Sequence, residues 1–392
     1  MSKLARNIPI ARPTLGEGEV SAARRAILSG WITQGPEVDA FEKEFAEFVG
    51  APHACAVSNC TTALHLALHA LGVGPGDEVI TVSHSYIATA NAVRYCGARP
   101  VFVDIDPRTF NIDPDLIEQA ITPRTRVILP VHQIGLPCDL HSILSIAGRH
   151  GLRVVEDAAC AIGSQIQTAG NWGRIGQPHG TVACFSFHPR KVLTTGDGGM
   201  ITTRDPNLDR MFRLLRQHGM SVPDTVRHSA KAVIFEEYPL VGFNYRMTDI
   251  QAAVGRAQLE RLPGMIERRV ELAHRYSDAL SEIPGLTIPW IPNGRRTNFQ
   301  SYAVRVGPAF PMSRDELMQA LLERGISTRR GIMNSHQEPA YAEYSAARLP
   351  CSVAARDQVI LLPLYDSLEE DDQRYVIDSL HELATGPHRG GK

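Results

Sequence analysis

Several features are missing from this 392-residue sequence, and each absence removes a class of function. No apolar run approaches the roughly 20 residues that cross a bilayer, so no membrane-embedded role is expected. No block of Lys and Arg stands out against a net charge of -2 and a sequence pI near 6.7, which leaves no electrostatic footprint for nucleic acid. The N-terminal stretch "MSKLARNIPIARPTLGEGEV" lacks the long apolar segment of a secretion signal. The seven cysteines are scattered and none form C-x-x-C, so they read as reduced thiols of a cytoplasmic protein. His65 and His69 have the i, i+4 spacing of metal ligands, but no H-E-x-x-H accompanies them and their helix is apolar, so no metal is expected. "LGVGPGD" follows a helix and precedes a strand, the wrong order for a dinucleotide loop. No internal repeat is visible.

What is present is an alternation. Short apolar, β-branched runs at 53–57, 78–82, 100–105, 126–131, 153–156, 182–187 and 199–203 are separated, early on, by helical stretches such as "TTALHLALHALG". That pattern predicts an α/β fold with a mostly parallel seven-stranded sheet flanked by helices. A charged helical stretch from about residue 256 reads as a connector to a smaller C-terminal α+β domain. The expected organisation is a large domain over 1–255, whose N-terminal segment can pack elsewhere, a small domain over 256–385, and a disordered tail over 386–392.

In an open α/β sheet, ligands bind at the carboxyl ends of the strands. After the first run, Ser58 or Asn59 can cap a helix whose first turn carries Thr61 and Thr62. This is a plain cap or a phosphate site. After the second comes Tyr86, a packing residue or a stacking ring. After the fifth comes Asp157, an acid that is costly among apolar neighbours unless paired. After the sixth, Ser186 and "HPRK" bring Lys191 to a strand exit, where burial is expected to lower its pKa and so ready it as a nucleophile. Taken together, a phosphate cradle, a stacking ring, an acid and a lysine on one rim are the inventory for pyridoxal 5'-phosphate (PLP).

Seven ordered segments between about residues 8 and 262 carry a resemblance. They include "SNCTTALHLAL", "VEDAACAIGS", "FSFHPRKVLTTGDGGM" and "GFNYRMTDIQAAVGRAQLERL". The chain resembles the DegT/StrS-type sugar aminotransferases, PLP enzymes of fold-type I. The resemblance implies that Lys191 is the Schiff-base lysine and that Asp157 pairs with the pyridine nitrogen. It implies that Tyr86 stacks on the ring and that Thr61, Thr62 and Ser186 contact the phosphate. Asn244 matches an asparagine lent by the neighbouring subunit, which implies a homodimer with shared sites. His336 falls on the substrate side. Arg330 is either a diphosphate contact or a solvated charge. The family commonly has Gln where this chain has Cys160, which alters the cofactor contacts there. "IMNS" before His336 departs from the usual aromatic and proline. The implied reaction moves an amino group from L-glutamate, through pyridoxamine 5'-phosphate, to a nucleotide-linked keto-sugar. A PLP-dependent lyase or dehydratase, and an aminotransferase for a 3-keto sugar or an aminocyclitol ketone, are the alternatives.

Overall fold

A computed structural model describes residues 6–223, 226–227 and 230–385. The tail expected at 386–392 lies outside the described residues. Nine strands precede residue 205: β1 (His53–Val57), β2 (Glu78–Val82), β3 (Arg99–Val103), β4 (Thr125–Leu129), β5 (Arg153–Asp157), the hairpin of β6 (Gln165–Thr168) and β7 (Asn171–Arg174), β8 (Val182–Ser186) and β9 (Gly199–Thr203). All but the hairpin form one seven-stranded sheet in the order β1-β9-β8-β5-β4-β2-β3. Only β9 runs against its neighbours, pairing antiparallel with both β1 and β8.

The apolar runs fold as strands because both faces of the sheet are covered. Every residue of β2 and of β9 is buried. A strand covered on both sides has no solvent face to fill with polar residues, so it reads as a continuous apolar run. The covering helices are α1 (Glu17–Ser29), α2 (Pro36–Val49), α3 (Cys60–Ala70), α4 (Ala88–Tyr95), α5 (Leu140–His150), α6 (Pro206–Leu215) and part of α7 (Asp249–Leu280). On one face, Phe41 and Phe45 of α2 meet Phe185 and Phe187 with ring centroids 5.1–5.6 Å apart. On the other, Leu64 and Leu68 of α3 pack with Val57, Val155, Cys184 and Ile201.

α7 is continuous through residue 255, where a domain boundary is expected. Its first half, with Ala252, Leu259 and Met265, belongs to the large core. Its second half, with Leu272, Tyr276 and Leu280, belongs to a second core. We propose that the division between the two domains falls within this helix, where it changes core. The second core covers a four-stranded sheet built from β10 (Leu286–Thr287), β12 (Tyr302–Val306), β14 (Val359–Leu362) and β13 (Arg329–Arg330), in that order. β11 (Arg295–Arg296) instead joins the β6–β7 hairpin. α8 (Arg314–Glu323), α9 (Pro350–Gln358) and α10 (Glu370–Thr385) complete the described chain. Ile8 bridges to Ile326 and lies in the second core, so the N-terminal segment packs away from the sheet that follows it.

α2 has no local side-chain cap. Its cap comes from 214 residues away: Asp249, at the start of α7, accepts hydrogen bonds from the backbone N–H groups of Gly35 (2.8 Å), Glu37 (3.2 Å) and Val38 (3.0 Å). Gly35 is required by closeness, since a Cβ there would lie 2.7 Å from an Asp249 carboxylate oxygen. Removing this shared cap orphans buried amides. Asp249→Ala should therefore lower the unfolding free energy by about 3 kcal/mol in urea titration. A loss below about 1 kcal/mol would show that water replaces the carboxylate.

Candidate active site

The carboxyl ends of β1, β2, β5 and β8 share one edge of the sheet with the start of β9. At that edge Asn59 caps α3, its Oδ1 accepting from the Thr62 N–H at 2.9 Å. The Thr62 hydroxyl donates back to the Asn59 carbonyl at 2.7 Å and lies 3.2 Å from Ser58 Oγ. Asn59 is thus the cap, and Thr62 is engaged in it. Thr61 stands beside it in the same turn, half-buried. Gly199 opens β9 against this turn, where a Cβ would meet the Asn59 carbonyl carbon at 2.5 Å. Ser186 closes β8, its Oγ accepting from the His188 N–H at 3.4 Å.

Asp157, the last residue of β5, is 4% exposed. Its Oδ2 accepts from the Thr89 hydroxyl at 2.8 Å and its Oδ1 from the Ala159 N–H at 3.1 Å. Burial pushes its carboxyl above the usual carboxylate range, against the pull of those two donors and of Lys191 and His132. Thr89, in the first turn of α4, is a contact that the sequence pattern did not single out. Its only cue is its place three residues after Tyr86.

Lys191 is delivered by a tight turn, its N–H donating to the His188 carbonyl at 2.8 Å. Its Nζ donates to Cys160 Sγ at 3.1 Å, which carries it across to the loop beyond β5. Burial pulls the ammonium toward deprotonation, as expected from the sequence. The sulfur of Cys160, then Cys60 and Asp157, outweigh it, and the net shift is upward. The direction is therefore the reverse of the expected lowering. Cys160 is fixed in turn by Asn298, whose Nδ2 donates to the Cys160 and Ile162 carbonyls at 2.9 Å each. Asn298 was also not legible, because it lies in a loop far along the chain. Arg190 is exposed beside Lys191.

Tyr86 follows β2 and is 68% exposed. The segment behind it is clamped. The Ser83 hydroxyl meets His336 Nδ1 at 2.6 Å and accepts from the His336 N–H at 3.0 Å, and His84 Nδ1 meets Asn334 Oδ1 at 2.8 Å. His336 is therefore buried, and burial lowers its pKa. Arg330 is exposed on β13, and its ion partner is Glu338 at 3.8 Å. Asn244 is exposed between Phe243 and Tyr245, whose rings stack at 4.9 Å. Those rings pack on His65 and His69, and His65 Nδ1 meets the Tyr245 hydroxyl at 3.0 Å. The two histidines anchor this loop, and the described residues contain no group of three or more His, Cys, Asp or Glu able to hold a metal.

The donor set suits PLP. A buried carboxylate can face a ring N–H, a helix N-terminus accepts an anion, and a lysine stands between them.

Two outcomes follow. Of the seven cysteines only Cys160 and Cys351 are partly exposed, so a thiol reagent on the native protein should label these two and spare the other five, as read by peptide mapping. Burial lowers the His84 pKa to about 4. The unfolded chain then binds a proton that the folded chain refuses. Stability should fall as pH drops from 6.5 toward about 4. His84→Gln should flatten the slope of unfolding free energy against pH in that window by at most about 1.4 kcal/mol per unit.

The chain is similar to known proteins over nearly its whole length. Residues 13–381 match the profile of the DegT/DnrJ/EryC1/StrS aminotransferase family. The chain is 42% identical over 385 residues to a GDP-perosamine synthase of Caulobacter vibrioides, covering 98% of this chain and 100% of that protein. Its fold is similar to that of the aminotransferase TlmJ of Streptoalloteichus hindustanus, with a TM-score of 0.88 at 36% identity, covering 96% of this chain and 99% of that one. It is similar also to the PLP form of the putative sugar aminotransferase Spr1654 of Streptococcus pneumoniae, with a TM-score of 0.88 at 28% identity, covering 97% and 99%. The chain belongs to the DegT/DnrJ/EryC1/StrS family of PLP-dependent sugar aminotransferases.

Proposed function

We propose that this chain moves an amino group from L-glutamate to a nucleotide-linked 4-keto-6-deoxy sugar in the cytoplasm. The observation that carries the reading is the convergence of Asp157 and Lys191 from separate strands, with Lys191 Nζ 3.1 Å from the sulfur of Cys160, three residues past Asp157. The similarity to a GDP-perosamine synthase supports a GDP-linked acceptor.

When bound, PLP supplies an electron sink for the charge that develops at the donor's Cα. Asp157, held by Thr89 and Ala159, would face the ring nitrogen and favour its protonated form. Lys191 is the residue that would hold the cofactor, and its Nζ would move the proton that leaves the donor's Cα. The first turn of α3, with Thr61 and Thr62, and Ser186 hold the phosphate through N–H groups and hydroxyls. Tyr86 covers the ring. Cys160 offers a thiol, a weaker donor than the amide usual in the family. His336 lines the substrate side, and Arg330 meets the diphosphate.

The active unit in this reading is a homodimer, in which Asn244 serves the neighbouring subunit's phosphate site. Val233, Phe235 and Val241, just before Asn244, are 82%, 86% and 87% exposed, a concentration of bare apolar side chains that a second subunit would cover.

The test is an assay of GDP-, UDP- and TDP-linked keto-sugars with glutamate or glutamine as donor. Amine at C4 and release of 2-oxoglutarate are expected. Turnover confined to TDP-linked 3-keto sugars, or sugar consumed without amine gained, would overturn the reading. Lys191→Ala should lose transamination by at least about a thousandfold with its circular dichroism unchanged.

A further inference from the structure

We infer that Thr89, backed by Ser85, is a positioning residue for Asp157, the two hydroxyls forming a one-way hydrogen-bond chain that fixes the carboxylate and favours its ionised form. The Ser85 and Thr89 hydroxyl oxygens lie 2.8 Å apart, and Thr89 Oγ1 lies 2.8 Å from Asp157 Oδ2. Thr89 is 2% exposed, Ser85 3% and Asp157 4%, so bulk water does not substitute for these contacts.

The direction follows from counting protons. A hydroxyl has one to give, and an ionised carboxylate can only accept. The Thr89 proton therefore goes to Asp157, and the Thr89 oxygen accepts the proton of Ser85. Both dipoles point their positive ends toward the carboxylate, which strengthens each bond in a low-dielectric interior. The Ala159 N–H holds the other oxygen. With one donor on each oxygen the carboxylate plane is set, and lone pairs remain to meet a ring N–H.

The chain is also held from behind. Ser83 and His84, just before Ser85, are bonded to His336 and Asn334. The segment on the proposed substrate side thus braces the segment that aims Asp157.

This rests on the proposed contact between Asp157 and the cofactor's ring nitrogen. Thr89→Val keeps the shape and removes the hydroxyl. It should raise the PLP dissociation constant about ten- to a hundredfold, the loss of one hydrogen bond to a charged group, and shift the visible absorption of the bound cofactor. Thr89→Ser should restore both, and Ser85→Ala should weaken binding by less than about tenfold. Asp157→Asn is measured alongside. If it binds PLP as the parent does, the Asp157 contact itself fails. If it weakens binding while Thr89→Val stays within about twofold of the parent, or if Thr89→Ser is as weak as Thr89→Val, the positioning role is overturned. Should Thr89→Val fail to fold, Thr89→Ser and Ser85→Ala decide. Parent-like Thr89→Ser with weakened Ser85→Ala supports the chain, and the reverse overturns it.

Discussion

Asp157 closes β5 in the middle of a seven-stranded sheet, where an ionised carboxylate persists only if donors and cations replace its water. Burial alone drives it toward neutrality. The neighbourhood answers with Thr89 from α4, the Ala159 amide from its own loop, and Lys191 from beyond β8. Each partner arrives on a different element. The pull that opposes burial therefore exists only when the sheet, the helix covers and the turn after β8 are all in place. This links the fold to the chemistry: the residue that needs an anion's environment lies where the topology brings those elements together.

The turn after β8 shows the same economy. A single β-strand exit places Ser186, exposed Arg190 and Lys191 within six residues, and the turn sends only Lys191 across toward β5. The antiparallel β9 then returns through Gly199, where only a glycine clears the cap of α3. The first turn of α3 and the lysine are thereby brought to the same edge of the sheet, with Cys160 between Lys191 and the β5 end. Cys160 lies three residues past Asp157. It contributes a polarisable sulfur that pairs with Lys191, and Asn298 holds its backbone.

All seven strands of the main sheet were legible because strands buried on both faces leave continuous apolar runs between helices. The placement of Lys191, Asp157 and Tyr86 at or after strand ends was legible because the apolar runs mark where those strands stop. Thr89, Ser85 and Asn298 were not, since a threonine in a first helical turn or an asparagine in a loop looks like ordinary capping until its partner is known. The remote capping of α2 by Asp249 escaped for the same reason: nothing local distinguishes an acid at a helix start that serves a second helix. The upward direction at Lys191 was not legible because burial is visible in an apolar pattern, whereas the sulfur and carboxylate neighbours come from other elements.

One measurement bears most directly on the central claim that Lys191 is the residue to which the cofactor attaches. The chain has only five lysines, at positions 3, 43, 191, 231 and 392, so the attachment point can be mapped without ambiguity. PLP-loaded protein is reduced with borohydride, digested and sequenced by mass spectrometry. The account predicts the pyridoxyl mass on the peptide containing Lys191, at close to one per chain. A label on exposed Lys43 or Lys231, or spread over several lysines, would contradict it.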